Sequence, residues 1–230
     1  MTKEPLIKLE NVSKHYVKNK MTVDIFDNLD LVIRENEFVA VMGPSGSGKT
    51  TLLNLIGGID RVTGGTITFG GERLDTFTEN QLSKWRAANV GFIFQFYNLM
   101  PMLTTAQNVE LPLLLTKLSK SKRKEHVNTA LSIVGLEDRT KFYPREMSGG
   151  QQQRVAIARA IVSDPKVLLC DEPTGDLDRE TAEEILKILQ LLAKDFGKTV
   201  IMVTHDPEAA KFASRELHLD KGKFLEGKKR

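Results

Sequence analysis

The sequence predicts an α/β fold in which a parallel core sheet carries an antiparallel β subdomain and an inserted helical block. Three observations predict it. Short, almost wholly apolar runs at 38–42, 90–94, 167–170 and 199–203 have the length and composition of strands buried on both faces. A glycine-rich stretch and then a helical pattern follow the first run, and two acids follow the third, as at the ends of strands in such sheets. Between the second and third runs, from about residue 97 to 146, strand signals stop and helical spacing replaces them.

Taken in order, residues 6–16 alternate apolar and polar positions in part (Ile7, Leu9, Val12), and residues 29–33 do so again. Both suit antiparallel strands with one face on a core. Residues 38–42 read as a buried strand and 50–56 as the helix after the glycines. A short strand at 66–69 precedes a Gly70-Gly71 turn, and the strand at 90–94 ends at Gln95. In the helical block, 108–115 and 122–134 carry helical spacing. The lysines and arginine near their junction (Lys117, Lys120, Lys122, Arg123, Lys124) read as a solvated face. At the start of the block Tyr97, Leu99, Met100, Met102 and Leu103 form an apolar cluster expected at the surface, as a docking groove would be. Ser148 starts a helix running to about Val162, and another begins at Arg179. Asp206 followed by Pro207 reads as an N-cap and first-turn proline. Residues 217–225 around Gly222 suit a hairpin, and Lys228-Lys229-Arg230 is a charged tail with no assigned role.

The strand-to-helix junction carries chemistry. Gly43-Pro44-Ser45-Gly46-Ser47-Gly48-Lys49-Thr50 matches every fixed position of G-x-x-x-x-G-K-[ST]. Glycines let the backbone close around an anion so that successive N–H groups point inward. Lys49 supplies a point charge toward the β- and γ-phosphates, and the Thr50 hydroxyl can ligate Mg²⁺. Asp171 and Glu172, at the end of the strand 167–170, are placed beside that loop, at the crevice where α/β sheets bind ligands. Asp171 is expected to hold Mg²⁺ and Glu172 to polarise an attacking water.

The 230 residues make one large domain, or one domain with an insertion. A net charge of +3 gives no case for nucleic acid as a partner, and 27% charged residues is ordinary. The single cysteine, Cys170, lies in an apolar strand and reads as a small buried hydrophobe, so no intrachain disulfide is possible. The N-terminus lacks a signal-peptide pattern, and no window approaches about 18 uninterrupted apolar residues. Any membrane role is therefore expected to come through a partner.

Met147-Ser148-Gly149-Gly150-Gln151-Gln152-Gln153-Arg154 resembles the signature motif of ATP-binding-cassette (ABC) ATPases, which usually have Leu where this chain has Met147. Ser148, Gly149 and Gly150 at a helix N-terminus also suit an anion on physical grounds. Other pieces of the family pattern follow in order across essentially the whole chain. Tyr16 resembles the aromatic that stacks on adenine, and Gln95 the glutamine that reaches Mg²⁺ and the attacking water. Gly175-Asp176-Leu177-Asp178 resembles the loop that crosses the dimer interface, and His205 the switch histidine at the γ-phosphate.

The resemblance implies a P-loop NTPase of ABC type, with ATP and Mg²⁺ as ligands. It implies an α/β core with β subdomain at 1–96 and 147–230 and a helical subdomain at about 97–146. It assigns catalysis to Glu172, His205, Gln95 and Lys49, and metal ligation to Thr50, Gln95 and Asp171. Nucleotide contacts fall to Tyr16, Gly43, Pro44, Ser45, Gly46, Ser47, Gly48, Lys49, Thr50 and Thr51, and, across an ATP-dependent head-to-tail homodimer, to Ser148, Gly149, Gly150 and Gln151. Residues 108–113 and 143–146 resemble the lipoprotein-release and macrolide-export (LolD/MacB) branch. That implies a stand-alone ATPase subunit on the cytoplasmic face of the inner membrane, driving integral membrane permease subunits. A regulator of cell-wall hydrolysis or division built on the same ATPase type is the alternative. A nucleic-acid-associated ATPase is not expected, because zinc cysteines, long coiled coils and a second cassette are missing from this sequence.

Overall fold

The computed structural model describes residues 5–18 and 21–225. Two sheets organise it. The larger has six strands in the order β10-β9-β3-β8-β7-β6. Its members are β3 (Phe38–Met42), β6 (Val90–Phe94), β7 (Val167–Asp171), β8 (Thr199–Thr204), β9 (Arg215–Asp220) and β10 (Lys223–Leu225). All pair in parallel except β10, which turns back antiparallel on β9. The smaller sheet is antiparallel, ordered β2-β1-β4-β5, from β1 (Pro5–Lys18), β2 (Met21–Arg34), β4 (Gly64–Phe69) and β5 (Glu72–Arg73).

The period-two geometry of a strand explains why β3, β7 and β8 read as largely apolar runs. Phe38, Ala40 and Met42 of β3 join one core while Val39 and Val41 join the other; β7 and β8 divide in the same way. The first core contains helices of the inserted block and of the second half of the chain: α3 (Thr105–Glu110), α4 (Lys120–Ile133), α5 (Gly149–Ile161) and α6 (Arg179–Lys194). The second contains α1 (Lys49–Ile56), α2 (Glu79–Asn89) and the inner face of the antiparallel sheet.

Helix starts follow capping chemistry. Thr78, Thr104 and Ser148 each accept from the backbone of a glutamine three residues on, whose side chain returns a bond to the cap residue's N–H. Asp178 caps α6, and Asp206 caps the short α7 (Pro207–Ala210) with Pro207 in its first turn.

Some segments differ from the sequence reading. The expected helix at 108–115 begins earlier, at Thr105, and Pro112 converts its second half to a 3₁₀ turn over Leu111–Leu115. Strand β2 starts at Met21, well before residue 29. Its outer half is mostly exposed and pairs only with β1, so it carries no hydrophobic alternation. Helix α2 carries no clear apolar stripe; its buried anchors are Leu82 and Trp85. The apolar cluster at the start of the helical block is divided. Met100 and Met102 are exposed, whereas Leu99 is half-buried and packs against the core. The tail Lys228-Lys229-Arg230 lies outside the described residues.

Candidate active site

The phosphate-binding loop joins β3 to α1, and its glycines are needed where the chain turns most tightly. Gly48 caps α1 with φ at 103°, and a β-carbon there would stand 2.8 Å from a Phe26 ring carbon. At Gly43 a β-carbon would lie 2.1 Å from the carbonyl of Leu219 on the adjacent strand. The Lys49 ammonium donates to the carbonyls of Gly43 (2.7 Å) and Pro44 (3.0 Å), folding back over its own loop. Within the loop, Ser47 Oγ is buried and has no hydrogen-bond partner. A buried hydroxyl without a partner carries a desolvation cost that a bound anion would offset.

Opposite the loop stands the end of β7. The Thr50 hydroxyl donates to Asp171 Oδ2 at 3.3 Å. Burial pushes the Asp171 carboxyl above its usual range; the Thr50 hydroxyl opposes this, the Glu172 charge adds to it, and Lys49 opposes it again. A divalent cation would relieve that burial. Among the described residues no cluster of three His, Cys, Asp or Glu could hold a metal alone. Thr50 and Asp171, joined by a hydrogen bond, share one cavity with Gln95; these oxygen donors are of the kind that would suit an ion taking its remaining ligands from phosphate oxygens and water, as Mg²⁺ does.

Glu172 adopts φ of 48°, a conformation that L side chains seldom occupy. The turn is held by Glu172 N–H donating to the Val203 carbonyl at 3.0 Å and by Gly175 N–H donating to the Glu172 carbonyl at 3.0 Å. One carboxylate oxygen, Oε2, accepts from His205 Nδ1 at 3.0 Å and from the His205 backbone N–H at 3.4 Å. The other oxygen makes no such bond. His205 follows β8, so two neighbouring parallel strands deliver the acid and the histidine side by side.

Gln95 follows β6 and donates through Nε2 to Asp176 Oδ1 at 3.2 Å. Gly175 is packed so closely on it that a β-carbon would stand 2.8 Å from Gln95 Nε2. The glutamine and the 175–178 loop are thus one contact unit. Lys49, Thr50, Gln95, Asp171, Glu172 and His205 all line one open cavity of about 870 Å³. Ser45, Gly46, Gly48 and Thr51 line it too, while Gly43, Pro44 and Ser47 form the loop behind that wall.

The structure does not bring the remaining predicted contacts into this cavity. Ser148, Gly149, Gly150 and Gln151 lie at the start of α5, outside its lining. There Ser148 Oγ accepts from Gln151 N–H at 3.3 Å, leaving the hydroxyl proton free to donate. Gly150 is wedged on α6, a β-carbon there falling 2.2 Å from Thr181 Cγ2. Tyr16 also lies outside the lining; its hydroxyl donates to Asp60 Oδ2 at 2.6 Å.

Sequence reasoning missed two residues that hold the site in place. Gln153 is fully buried, and its amide donates to the carbonyls of Phe94 (3.2 Å) and Pro173 (2.5 Å), tying the end of β6 to the loop after β7. Arg159 donates to the carbonyls of Tyr97 (2.7 Å) and Asn98 (2.5 Å), both left-handed residues following Gln95. Burial lowers the Arg159 pKa. Gln153 stood inside the signature stretch without an assigned role, and Arg159 carried no sequence signal beyond being a charged residue among the apolar positions of the second half of α5.

The profile of the family described as ABC transporter matches residues 26–175, more than half of the chain. The chain belongs to the ABC transporter ATPases. Among the relatives of this ABC ATPase, the ABC transporter ATP-binding protein YvrO of Bacillus subtilis is 44% identical over 220 residues, 96% of each chain. The macrolide export ATP-binding/permease protein MacB of Shigella flexneri is 42% identical over 221 residues, 96% of this chain but 34% of MacB. Among solved structures, the dimeric post-hydrolysis state of the ATP-binding cassette MJ0796 bound to ADP and Pi superposes with a TM-score of 0.88. It is 40% identical, covering 97% of this chain and 98% of that one; the MJ0796 sequence comes from Methanocaldococcus jannaschii. ATP is accordingly the substrate of this ABC ATPase and hydrolysis its reaction.

Proposed function

We propose that this ABC ATPase is the energy-supplying subunit of a bacterial membrane transporter, and that each active site is completed by a second copy arranged head to tail. One observation carries the reading. The cavity holding Lys49, Asp171, Glu172 and His205 lacks the second anion cradle, because Ser148, Gly149, Gly150 and Gln151 face elsewhere on the same chain. Two copies related by a two-fold axis would each lend that cradle to the other. The dimeric MJ0796 structures support this arrangement.

In the closed site Lys49 leaves the Gly43 and Pro44 carbonyls for the β- and γ-phosphates, a better partner for an ammonium. Glu172 accepts the proton of the attacking water at its free oxygen, a role worth roughly 10²–10⁴-fold in rate. His205 holds the other oxygen and faces the γ-phosphate, and Gln95 orients the water. Mg²⁺, held by Thr50, Asp171 and Gln95, supplies countercharge to the triphosphate when bound. Because the γ-phosphate is gripped from both copies, its loss weakens the dimer, and the opening is passed to the partner.

The partner surface is the groove between β6 and the helical block. It has a volume of about 540 Å³ and is lined by Phe92, Phe94, Pro112 and Leu115 with Arg86 and Arg159. Phe96, Met100 and Met102 are exposed on the neighbouring segment. An apolar groove next to Gln95 suits an integral membrane permease segment whose motion is tied to the site. No helix among the described residues is long and apolar enough to cross a membrane. In this reading the ATPase sits on the cytoplasmic face of the inner membrane through that partner and acts in export or lipoprotein release.

Mixing tests the shared site. Lys49→Ala chains and Ser148→Arg chains should each be nearly inactive alone. Mixed dimers contain one intact composite site, so activity should return on mixing. No recovery despite demonstrated mixed dimers would overturn the arrangement.

A further inference from the structure

A part-buried ion pair that the phosphate chemistry does not use joins Lys14 of β1 to Asp60 in the segment after α1. Lys14 is only 6% exposed. Lys14 pairs with Phe26 of β2 between two register shifts, and Tyr16 lies two residues on in β1. The Lys14 ammonium donates to Asp60 Oδ1 at 2.7 Å and to the Arg61 carbonyl at 2.9 Å. It also stands over the Tyr16 ring, 4.4 Å from its centre. The second carboxylate oxygen, Asp60 Oδ2, accepts from the Tyr16 hydroxyl at 2.6 Å.

Asp60 is itself anchored to the helix of the phosphate loop. The N–H groups of Ile59 and Asp60 both donate to the carbonyl of Asn54, in α1. A chain of bonds thus runs from α1, which begins at Lys49, through Asp60 to the Tyr16 ring. Desolvation offsets much of the attraction in a buried ion pair, so such a pair is weak evidence for stability. What it fixes here is the position of a ring. Lys14 stands over one face of the ring, and Tyr16 as a whole remains 40% exposed.

We propose that Asp60 and Lys14 are positioning residues that hold Tyr16 as a preformed stacking platform for the nucleobase, at a fixed offset from the Lys49 loop. The proposal rests on reading Tyr16 as the base-stacking residue. A ring fixed before the nucleotide arrives needs no ordering on binding, which raises affinity. Stacking uses the base plane, so the platform adds affinity for a nucleoside triphosphate over a bare polyphosphate.

The test measures the KM for Mg²⁺-ATP, the kcat, and inhibition of ATP hydrolysis by inorganic tripolyphosphate, which has no base. Asp60→Ala removes both contacts, and Tyr16→Phe keeps the ring but loses the tether. Each should raise the KM for ATP about 3–10-fold, leave kcat within about twofold, and leave tripolyphosphate inhibition unchanged. The double variant should be no worse than Asp60→Ala alone. If Asp60→Ala weakens ATP and tripolyphosphate equally, Asp60 only supports α1 and the proposal falls. It falls as well if both single variants bind ATP as the wild type does. Tyr16→Ala separates the two readings. A normal KM in that variant removes the stacking role itself, whereas a raised KM beside a normal Asp60→Ala removes only the tether.

Discussion

Asp171 shows how a single residue trades stability for chemistry. Its carboxyl is raised above the ordinary 3.8 chiefly by burial. A carboxyl raised by folding stabilises the protein most in acid, where it is neutral in both states, and that contribution is lost as pH rises through the folded value. Asp171→Asn cannot ionise, so the nucleotide-free protein should melt at a higher temperature than wild type near about pH 7, with the gain vanishing near about pH 3. The same variant should lose Mg²⁺-dependent nucleotide binding. Thermal melts across pH, paired with nucleotide titrations, check both halves; a variant less stable than wild type at neutral pH would contradict the account. Glu172, the adjoining acid, spends its conformation differently. Its left-handed backbone and its bond to His205 hold one oxygen and leave the other for water.

Among the elements, the phosphate loop was legible in the sequence because its chemistry needs particular residues at fixed spacing. The central parallel strands β3, β7 and β8 were legible because burial on both faces leaves them few polar positions; β9, polar along much of its length, was not legible on that ground. The outer half of β2 and helix α2 were not, since neither carries a clear apolar stripe and tertiary pairing places them. For the site, the sequence supplied Lys49, Asp171, Glu172 and His205, which share one cavity, but not Gln153 and Arg159, whose partners are backbone carbonyls distant in sequence. The loop itself yields a ranking. Gly46 has φ of 80° with nothing near its missing β-carbon, whereas Gly48 combines φ of 103° with a contact of 2.8 Å to Phe26. Gly46→Ala should cost about 1 kcal/mol from backbone strain alone. Gly48→Ala should cost roughly 2–3 kcal/mol, since crowding of Phe26 adds to strain. Urea denaturation should therefore rank the midpoints as wild type, Gly46→Ala, Gly48→Ala; equal midpoints for the two variants would refute the packing at Gly48.

Across the whole molecule, the parallel sheet delivers the loop, the two acids and the histidine to one edge, while α5 carries Ser148 out of the cavity those groups line. On the proposed head-to-tail reading, the second half of the anion-binding apparatus comes to each site from the other copy. The central claim is that ATP joins two copies and that its hydrolysis releases them. Glu172→Gln tests it most directly, because the amide keeps the shape and hydrogen bonding of the side chain while removing its basicity. Turnover should fall by on the order of 10²-fold or more while Mg²⁺-ATP still binds. Size-exclusion chromatography with light scattering should then show monomer without nucleotide and a stable dimer with Mg²⁺-ATP. A Glu172→Gln protein that binds Mg²⁺-ATP, fails to hydrolyse it and remains monomeric would contradict the account.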